Sequence, residues 1–396
     1  MNFSAADHQF MAEALRLADY GAYTTRPNPR VGCVVARDGA VVGRGWHQRA
    51  GGPHAEVFAL REAGENARGA TAYVTLEPCA HHGRTPPCAD ALIAAGVARV
   101  VAAVEDPFPQ VAGAGLARLR AAGIAVDAGL LADDARELNR GFFSRIERGR
   151  PWVRIKLAQS LDGRTALHNG VSQWITGAAA RADVQRWRAR SAALLTGAGT
   201  ARADNPRLTA RLDESIAVVA PLRVVLDARL DALAPDCHLL DGSAPTLVVH
   251  GNGVAAPAAR SGVDYLVLPR RDGRLDLAAL LAELARRGVD ELQVEAGPVL
   301  AGALFAAGLV DELLLYVAPL LLGSAGLPLL ALPTLSEMSG RWPLRVVDRR
   351  LVGDDERLLL RPLSAGFAGS GSSFSPGSSP ARGEGNRASG SVGDVQ

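Results

Sequence analysis

Aromatic residues and an excess of either charge are what this sequence most clearly lacks. Aromatic residues make up 5% of the chain, and 43 Lys and Arg against 41 Asp and Glu leave a formal net charge of +2. A nucleic-acid-binding surface combines clustered positive charge with aromatic side chains, so this composition does not support a nucleic-acid partner. We therefore expect the partner to be a small molecule.

Long apolar runs and a leader segment are also missing. No run approaches the about 20 apolar residues of a membrane-spanning helix, and Met1-Asn2-Phe3-Ser4 lacks the basic and apolar regions of a signal peptide. The sequence therefore predicts a cytoplasmic protein with no membrane partner. The 4 cysteines could form disulfides, but a reducing compartment favours thiols kept for metal binding.

What the sequence does contain is a group of metal-binding residue types between residues 54 and 88. His54-Ala55-Glu56 is followed by Glu77-Pro78-Cys79 and then by Pro87-Cys88. One imidazole and two thiolates are three of the four ligands of a tetrahedral zinc ion, and a fourth position left to water is typical of a catalytic zinc site. The carboxylate of Glu56, two residues after the first ligand, is the predicted proton carrier.

Each predicted ligand stands where a helix is expected to begin. His54 precedes an apolar-periodic run, Pro78 is a helix-start residue before Cys79, and Cys88 opens residues 89–95. A helix N-terminus lowers the pKa of a thiol, so thiolates are available there to bind metal.

Other histidines and cysteines compete with this interpretation. His81 and His82 lie between the two cysteines and are alternative ligands. Cys33, within an apolar run, is predicted to be a small core residue, and Cys237 is predicted to have no role.

The ligand pattern resembles that of the zinc-dependent cytidine and deoxycytidylate deaminases, in which His-x-Glu is followed by Pro-Cys-x-x-Cys. Here residues 80–87 separate the cysteines, a longer spacing than the usual one. With this spacing the segment is similar to the deaminase half of the bifunctional deaminase/reductases of riboflavin biosynthesis.

The resemblance also implies residues that bind the substrate. Asn28, held between two prolines in Arg26-Pro27-Asn28-Pro29-Arg30, corresponds to a substrate-binding Asn, and Arg84, between the cysteines, would bind the substrate phosphate. His47, delivered beside the metal by a predicted hairpin, is a third expected substrate contact. A turn-forming Asn, a solvated loop His and a solvated Arg are the alternatives.

The pattern of the first 148 residues predicts an α/β domain. Strands alternate with helices, which indicates a largely parallel sheet covered on both faces. A hairpin is expected over 31–36 and 41–46, and the first helix, over 8–22, is expected to have Asp7 as its N-cap. Further strands are predicted at 71–76, 99–104 and 124–129, and further helices at 113–123 and 133–147. Arg148-Gly149-Arg150-Pro151 interrupts the pattern and predicts a domain boundary.

Residues 149–363 are predicted to form a second α/β domain. Strands are expected at 151–158, 192–196, 222–227, 246–250, 265–268, 291–296 and 312–318, and helices at about 178–190, 276–287 and 299–307. No Gly-x-Gly-x-x-Gly follows the first strand, so the usual dinucleotide fingerprint is missing. The segment from Glu295 to Ala303 follows a strand and starts a helix, which predicts a phosphate-binding site, with an ordinary turn as the alternative.

Several motifs together resemble the reductase half of the same family, whose fold is dihydrofolate-reductase-like and whose cofactor is NADPH. These motifs are Lys156, Ser160-Leu161-Asp162-Gly163-Arg164, Ser172-Gln173-Trp174-Ile175-Thr176, Thr200, Arg202-Ala203-Asp204-Asn205-Pro206 and the Glu295 segment. The resemblance extends to about residue 362. It implies that NADPH contacts Ala158, Trp174, Thr200, Asp204, Gly297, Pro298, Val299, Leu300, Ala301, Gly302 and Ala303. It further implies that the phosphorylated aminopyrimidine contacts Ser172, Arg188, Leu208, Arg211 and Glu295.

Polar groups expected around the sugar complete the reductase prediction. Lys156, Asp204 and Glu295 are predicted to surround it, with Lys156 as the proton source, although each could instead be a structural ion-pair partner. Relatives often have a hydroxyl residue near the extra phosphate of NADPH, where this chain has Ala228; the adjacent Arg229 is hypothesised to bind that phosphate.

The sequence thus predicts a homo-oligomeric enzyme with zinc and NADPH. Its first domain would deaminate a diaminopyrimidinone ribosyl phosphate, and its second would reduce the ribosyl chain to ribityl. A nucleoside- or tRNA-acting deaminase with an unrelated appendage, and a non-catalytic zinc-stabilised binding protein, are the alternatives. Residues 364–396 are Gly- and Ser-rich and are predicted to be disordered.

Overall fold

The structure is a computed structural model that describes residues 3–80, 86–109, 111–271 and 273–363. Its described strands form two large sheets, one in each half of the chain, and two small two-stranded ribbons. The predicted disordered tail at 364–396 lies outside the described residues. No helix in the described ranges is both long and apolar enough to cross a bilayer.

The first half builds a five-stranded sheet. Its strands are β1 Gly32–Arg37, β2 Ala40–Trp46, β3 Thr71–Val74, β4 Arg99–Ala102 and β5 Ala125–Ala128. The strand order is β2-β1-β3-β4-β5; β3, β4 and β5 run parallel, whereas β1 is antiparallel to both of its neighbours. The hairpin prediction is confirmed, because Asp38 and Gly39 adopt positive φ in a tight turn between β1 and β2. Four of these five strands therefore run in one direction and β1 runs opposite, so the sheet is largely parallel, as predicted, with one reversed strand.

Helices pack on this sheet around an apolar core rich in alanine and valine. They are α1 Ala5–Asp19, α2 Ala55–Ala63, α3 Cys88–Ala95, α4 Ala114–Ala121, α5 Ala132–Leu138 and α6 Arg140–Arg148.

The start of α1 differs from the prediction. Ser4, not Asp7, is the N-cap, and Asp7 at the third helical position completes a capping box by accepting from the Ser4 backbone N–H at 2.8 Å. The Asp7 carboxylate is buried and also accepts hydrogen bonds from Tyr73 and Arg99. These bonds explain why a carboxylate can lie inside this part of the molecule.

The prediction of a single helix over 133–147 is wrong, because the helix is interrupted at Asn139. The Asn139 carboxamide accepts a hydrogen bond from the Arg30 backbone N–H and donates one to the Arg30 carbonyl, both at 2.8 Å. The backbone of Asn139 is not helical, with φ of −110° and ψ of 24°, and this conformation allows the two bonds. The break therefore fixes the backbone two residues after Asn28.

The second half is organised around a nine-stranded sheet. The strands of this half are β6 Trp152–Ser160, β7 Arg164–Ala166, β8 Ala193–Gly197, β9 Leu222–Leu226, β10 Thr246–Gly251, β11 Val263–Leu268, β12 Arg270–Arg271, β13 Arg274–Leu275, β14 Glu291–Val294, β15 Glu312–Ala318, β16 Leu327–Pro328, β17 Leu344–Val352 and β18 Asp355–Pro362. The helices are α7 Ala178–Arg190, α8 Ala198–Asp204, α9 Leu277–Arg286 and α10 Pro298–Ala306.

The order of the large sheet is β11-β10-β9-β8-β14-β6-β15-β18-β17. All pairs from β11 to β15 are parallel, and β18 runs antiparallel to both of its neighbours, β15 and β17. Apolar clusters cover both faces, as expected for a parallel sheet. Since β8, β14 and β6 are adjacent, their carboxyl ends meet at one edge, where ligands of such sheets bind.

A network of buried ion pairs joins the two halves. Glu291, at the start of β14, contacts Arg30, Arg140 and Arg154 at 3.2, 3.5 and 3.0 Å, and Arg154 also contacts Glu312 at 2.7 Å. Arg154 and Glu312 are fully buried. Buried charges are tolerated only when paired in this way, so the network ties residues of the first half to β14 and, through Arg154, to β6 and β15.

Candidate active sites

The three predicted zinc ligands converge at one end of the first sheet. His54 is the N-cap of α2 and Cys88 is the first residue of α3, as predicted. The helix start predicted at Cys79 is wrong, because the residues from Pro78 to Ala80, which follow β3, form neither helix nor strand. The backbone N–H of Cys88 donates to the Cys79 sulfur at 3.3 Å, so the N-terminus of α3 still faces that thiol.

The geometry of these side chains fits one metal ion. The His54 Nδ1 lies 3.2 Å from the Cys88 Sγ and 3.6 Å from the Cys79 Sγ, and the three ligand atoms all lie within 4.8 Å of one another. Zinc–nitrogen and zinc–sulfur bonds of about 2.0 and 2.3 Å place tetrahedral ligand atoms about 3.5 Å apart. A hydrogen bond with Cys88, helped by the one with His54, lowers the pKa of the Cys79 thiol.

Glu56 lies in the first turn of α2, and its carboxylate is close enough to His54 and Cys79 for their charges to act on it. It is 3% exposed, and its Oε2 has no hydrogen-bond partner among the described residues. Burial raises the pKa of this carboxyl group, while the charge of His54 opposes the shift. A buried carboxylate oxygen without a partner is costly, so this atom is expected to meet a ligand that the site binds.

Two of the predicted substrate contacts lie beside the cluster. The His47 ring packs edge-on against the His54 ring at 5.5 Å; its Nδ1 lies 3.0 Å from the Pro53 carbonyl and its Nε2 lies 3.2 Å from the Asn28 Nδ2. Because a carbonyl only accepts, Nδ1 carries the proton and Nε2 accepts from the Asn28 amide. Burial lowers the pKa of His47 and favours this neutral form.

His47 is 2% exposed, and both of its ring nitrogens form hydrogen bonds with other residues of the chain. The Asn28 carboxamide, half-buried, is thereby oriented with its Nδ2 toward His47. The third predicted contact, Arg84, and the alternative ligands His81 and His82 lie outside the described residues.

A second polar cluster occupies the carboxyl edge of the large sheet. Val294 pairs with Ile155 on one side and Leu195 on the other, so the next residues, Glu295, Lys156 and Thr196, are neighbours. The Thr196 hydroxyl donates to the Glu295 carbonyl at 2.8 Å. The register of β8, β14 and β6 thus brings together residues that are far apart in the sequence.

Arg188 and Glu295 form the centre of this cluster. Two guanidinium nitrogens of Arg188 each lie 2.7 Å from a Glu295 oxygen, and the Gln293 amide donates to the same carboxylate at 2.9 Å. Burial alone would raise the pKa of Glu295, but the Arg188 pair, with the Lys156 charge, lowers it to about 2. Glu295 is therefore ionised at neutral pH. Gln293 was not predicted, although its position two residues before Glu295 on one strand face could have indicated it.

Lys156 is the only lysine in the 396-residue sequence, and the other residues counted among the 43 Lys and Arg are all arginines. Burial lowers the pKa of its amine, which the charge of Glu295 partly offsets and the charge of Arg188 reinforces. Arginine cannot lose its proton in a protein, whereas a buried lysine can. Its uniqueness is a compositional signal that points to Lys156 in addition to the motif resemblance.

Other predicted reductase residues are more dispersed. Asp204, the last residue of α8, is exposed, and the charges that shift the pKa of Lys156 are those of Glu295 and Arg188 rather than Asp204. Trp174 is 68% exposed and stacks on the Arg181 guanidinium at 4.6 Å. The structure therefore does not place Asp204 in the Lys156–Glu295 pair.

Of the residues predicted to contact the aminopyrimidine, Arg211 and Ser172 have side chains that a ligand can reach, whereas Leu208 does not. Burial lowers the pKa of Arg211, and the charge of the nearby Arg188 adds to this shift. Ser172 is half-buried. The Leu208 side chain, by contrast, is 2% exposed and packs in a core cluster with Leu194, so only its backbone could meet a ligand.

The predicted phosphate-binding segment begins at α10. Its N-cap Gly297 donates its backbone N–H to the Thr200 hydroxyl at 3.2 Å, and Pro298 has no N–H to offer. Val299 is exposed, whereas Ala301 is fully buried. A Cβ at Gly302 would come within 2.4 Å of the Ala331 carbonyl. Among Gly297, Pro298, Val299, Leu300, Ala301, Gly302 and Ala303, the first turn is thus the part open to a ligand.

Known families account for both halves of the chain. The model described as the cytidine and deoxycytidylate deaminase zinc-binding region matches residues 4–104, and the RibD C-terminal domain matches residues 151–353. The riboflavin biosynthesis protein RibD of Escherichia coli K12 is 50% identical over 359 residues, which cover 88% of this chain and 97% of that protein. This chain belongs to the RibD family. The RibD protein of Haemophilus influenzae is 46% identical and covers 91% of this chain and 99% of its own length.

Solved RibD structures share the whole architecture. Acinetobacter baumannii RibD superposes with a TM-score of 0.84 at 43% identity, covering 91% of this chain and 99% of that one. The deaminase/reductase of Thermotoga maritima superposes with a TM-score of 0.79 at 33% identity, covering 90% and 99%. The predicted α/β fold and the bifunctional enzyme class are confirmed: this chain has a cytidine-deaminase-like domain followed by a reductase domain of riboflavin biosynthesis.

Proposed function

We propose that this enzyme first removes an amino group hydrolytically from a diaminopyrimidinone ribosyl phosphate and then reduces the ribosyl chain of the product to ribityl with NADPH. The proposed domains are residues 1–148 for deamination and 149–363 for reduction. The observation that carries the proposal is the convergence of His54, Cys79 and Cys88, with ligand atoms within 4.8 Å of one another. Beside them lies the Oε2 of Glu56, for which the described ranges offer no hydrogen-bond partner. The Thermotoga maritima relative is named for a deaminase and a reductase activity of this kind.

In the deaminase domain, His54, Cys79 and Cys88 would hold zinc. Zinc in a site with three protein ligands supplies a nucleophile at neutral pH by lowering the pKa of a coordinated water. Glu56 would take a proton from that nucleophile and deliver it to the amino group that leaves as ammonia. Asn28, oriented by His47, and Arg84 are the proposed contacts to the substrate.

In the reductase domain, Arg188 keeps Glu295 ionised beside Lys156. When bound, NADPH supplies the hydride that reduces the first carbon of the opened ribose. Lys156 is the proposed donor of the proton that completes the reduction. Glu295 and Arg188, with Arg211, Ser172 and the backbone of Leu208, are the proposed contacts to the aminopyrimidine. For NADPH they are Ala158, Trp174, Thr200, Asp204 and the first turn of α10.

The extra phosphate of NADPH is proposed to bind at Arg229, which follows Ala228. The Arg229 side chain is exposed and pairs with Asp231 at 2.8 Å, and Arg202 pairs with the same carboxylate at 3.1 Å. Arg229→Ala is expected to lower the preference for NADPH over NADH, measured as the ratio of the two kcat/KM values. An unchanged ratio would dismiss this role for Arg229.

We also propose a cytoplasmic homo-oligomer. All four cysteines, Cys33, Cys79, Cys88 and Cys237, are free thiols, which suits a reducing compartment. The edge strand β17 exposes Val346 and Leu351, and an unpaired strand edge is a surface that a second copy can cover.

The test is to supply the diaminopyrimidinone phosphate with and without NADPH while ammonia release and NADPH absorbance are followed separately. Ammonia is expected without NADPH, and NADPH oxidation is expected only after deamination. Release of ammonia from free cytidine or from tRNA, with none from the pyrimidinone, would overturn the proposal. Ammonia without any NADPH oxidation would leave only its first half standing.

A further inference from the structure

Glu77 is a buried carboxylate that the deaminase chemistry does not use. It lies two residues before Cys79 and is 4% exposed. One of its oxygens accepts from the backbone N–H groups of Gly115 and Leu116 at 2.9 and 3.2 Å, and the other accepts from those of Gly113 and Asp106 at 2.9 and 3.2 Å. Four backbone donors thus converge on one side chain.

Three of these donors belong to the beginning of α4. Gly113 is the N-cap of that helix and has no side chain to cap it, while Gly115 and Leu116 lie in its first turn. Glu77 supplies the missing acceptor from another part of the chain, and its negative charge complements the positive end of the helix. The bond network therefore attaches the segment before Cys79 to the start of α4.

Packing holds the same segment against α4 at a second point. A Cβ at Gly115 would come within 1.8 Å of the Pro78 carbonyl oxygen, so only glycine permits this approach. On the other side of Cys79, the Arg118 guanidinium, also on α4, donates to the Ala80 carbonyl at 3.2 Å. Cys79 is thus bracketed by contacts with one helix, although it belongs to no helix or strand itself.

The same helix is tied to the second thiol. Arg118 forms an ion pair with Asp90 at 2.6 Å, and Asp90 lies in the first turn of α3, two residues after Cys88. The backbone of α3 also bonds to the Cys79 residue, because the Ala89 N–H donates to the Cys79 carbonyl at 3.1 Å. Through these contacts α4 sets where the Cys79 thiol lies relative to the Cys88 thiol.

We propose that Glu77 is a positioning residue of the deaminase site, which fixes the backbone at Cys79 so that its thiol can share one metal ion with His54 and Cys88. It acts through the main chain and touches neither the metal ligands' donor atoms nor the substrate. The inference rests on the proposed zinc site. Residues that orient metal ligands typically contribute about ten- to a hundredfold to metal affinity.

Glu77→Gln tests this role in the full-length zinc enzyme, because it keeps the shape of the side chain but leaves one acceptor oxygen for four donors. Zinc affinity, measured by competition with a chromogenic chelator, is expected to fall about ten- to a hundredfold. The thiolate-to-metal absorption of the cobalt-substituted protein is expected to change. With zinc in excess, the KM for the pyrimidinone is expected to stay the same.

Asp7→Asn is the matched control. Asp7 is also a buried carboxylate that completes a helix cap, and its partners, Ser4, Tyr73 and Arg99, include none of the zinc ligands. Both variants are expected to lower the melting temperature, but only Glu77→Gln should change zinc affinity and the cobalt spectrum. Arg118→Gln, at a 43% exposed side chain, provides a variant that folds even if Glu77→Gln does not, with an expected severalfold loss of zinc affinity.

The outcomes separate this inference from the function on which it rests. If Glu77→Gln and Arg118→Gln both bind zinc within twofold of the unmodified enzyme, Glu77 only caps α4 and the inference is overturned. If Asp7→Asn weakens zinc binding as much as Glu77→Gln does, the effect is general destabilisation and the inference is likewise overturned. An unmodified enzyme that binds no zinc would instead refute the proposed deaminase site.

Discussion

Glu56→Gln is expected to lower kcat for ammonia release by about a hundred- to ten-thousandfold, the usual contribution of a positioned acid–base group. The carboxylate oxygen Oε2 is buried next to the ligand cluster and has no hydrogen-bond partner in the part of the chain that the structure describes, and glutamine cannot carry a proton from the nucleophile to the leaving nitrogen. The zinc content should remain that of the unmodified enzyme, because Glu56 is not one of the three convergent ligands. Ammonia release and metal analysis on the same preparation give both quantities.

Glu65→Gln is the control for this variant. Glu65 lies just beyond the same helix and is exposed, so its change should leave both ammonia release and zinc content unaltered. NADPH oxidation by Glu56→Gln should also be normal when the deaminated intermediate is supplied. Retained deamination in Glu56→Gln would show that another group carries the proton, and loss of zinc together with activity would make Glu56 a structural residue.

Lys156→Arg and Lys156→Met are both expected to lower NADPH-dependent reduction by about a hundredfold or more, while ammonia release is unaffected. Arginine keeps the positive charge beside Glu295 but cannot give up a proton, whereas methionine removes both the charge and the proton. Equal losses in the two variants would therefore indicate proton donation. If Lys156→Arg stays active, the amine acts only as a charge partner of Glu295.

The single lysine also allows its amine to be measured directly. Reductive methylation with ¹³C-formaldehyde should give one side-chain signal, since only the chain's amino terminus offers another amine. The pKa of that signal is expected to lie below the usual lysine value because of burial, and it should rise when Arg188 is changed to Gln, because a neighbouring positive charge is removed. A signal that titrates as in a free lysine would contradict the burial of this amine.

Local patterns predicted most of the fold. Apolar runs located the parallel strands, and helix-start signals placed His54 and Cys88 correctly. The helix start predicted at Cys79 was wrong. The segment before Cys79 is attached to α4, because the Glu77 carboxylate accepts hydrogen bonds from backbone N–H groups of that helix. A local sequence pattern does not indicate where such a distant helix begins. The break at Asn139 has the same origin, since its partner is Arg30, over a hundred residues earlier in the chain.

The edge of the large sheet was missed for a different reason. Strand β17 carries Arg345, Asp348, Arg349 and Arg350 on an exposed edge, so its sequence lacks the apolar alternation that indicates a strand. The ion pairs of Glu291 with Arg30 and Arg140 were also beyond prediction, because they depend on how the two domains meet. The reductase cluster was predicted by resemblance, and strand register explains it: Glu295 and Lys156 are neighbours only because β14 lies beside β6.

One imidazole and two thiols of this chain are expected to share a zinc ion, and X-ray absorption at the zinc edge of the purified enzyme tests this most directly. We predict one zinc ion per chain with two sulfur neighbours and one nitrogen neighbour from the protein, and no zinc in Cys88→Ala. A protein free of zinc after zinc-replete expression, or a zinc ion without sulfur neighbours, would contradict the claim.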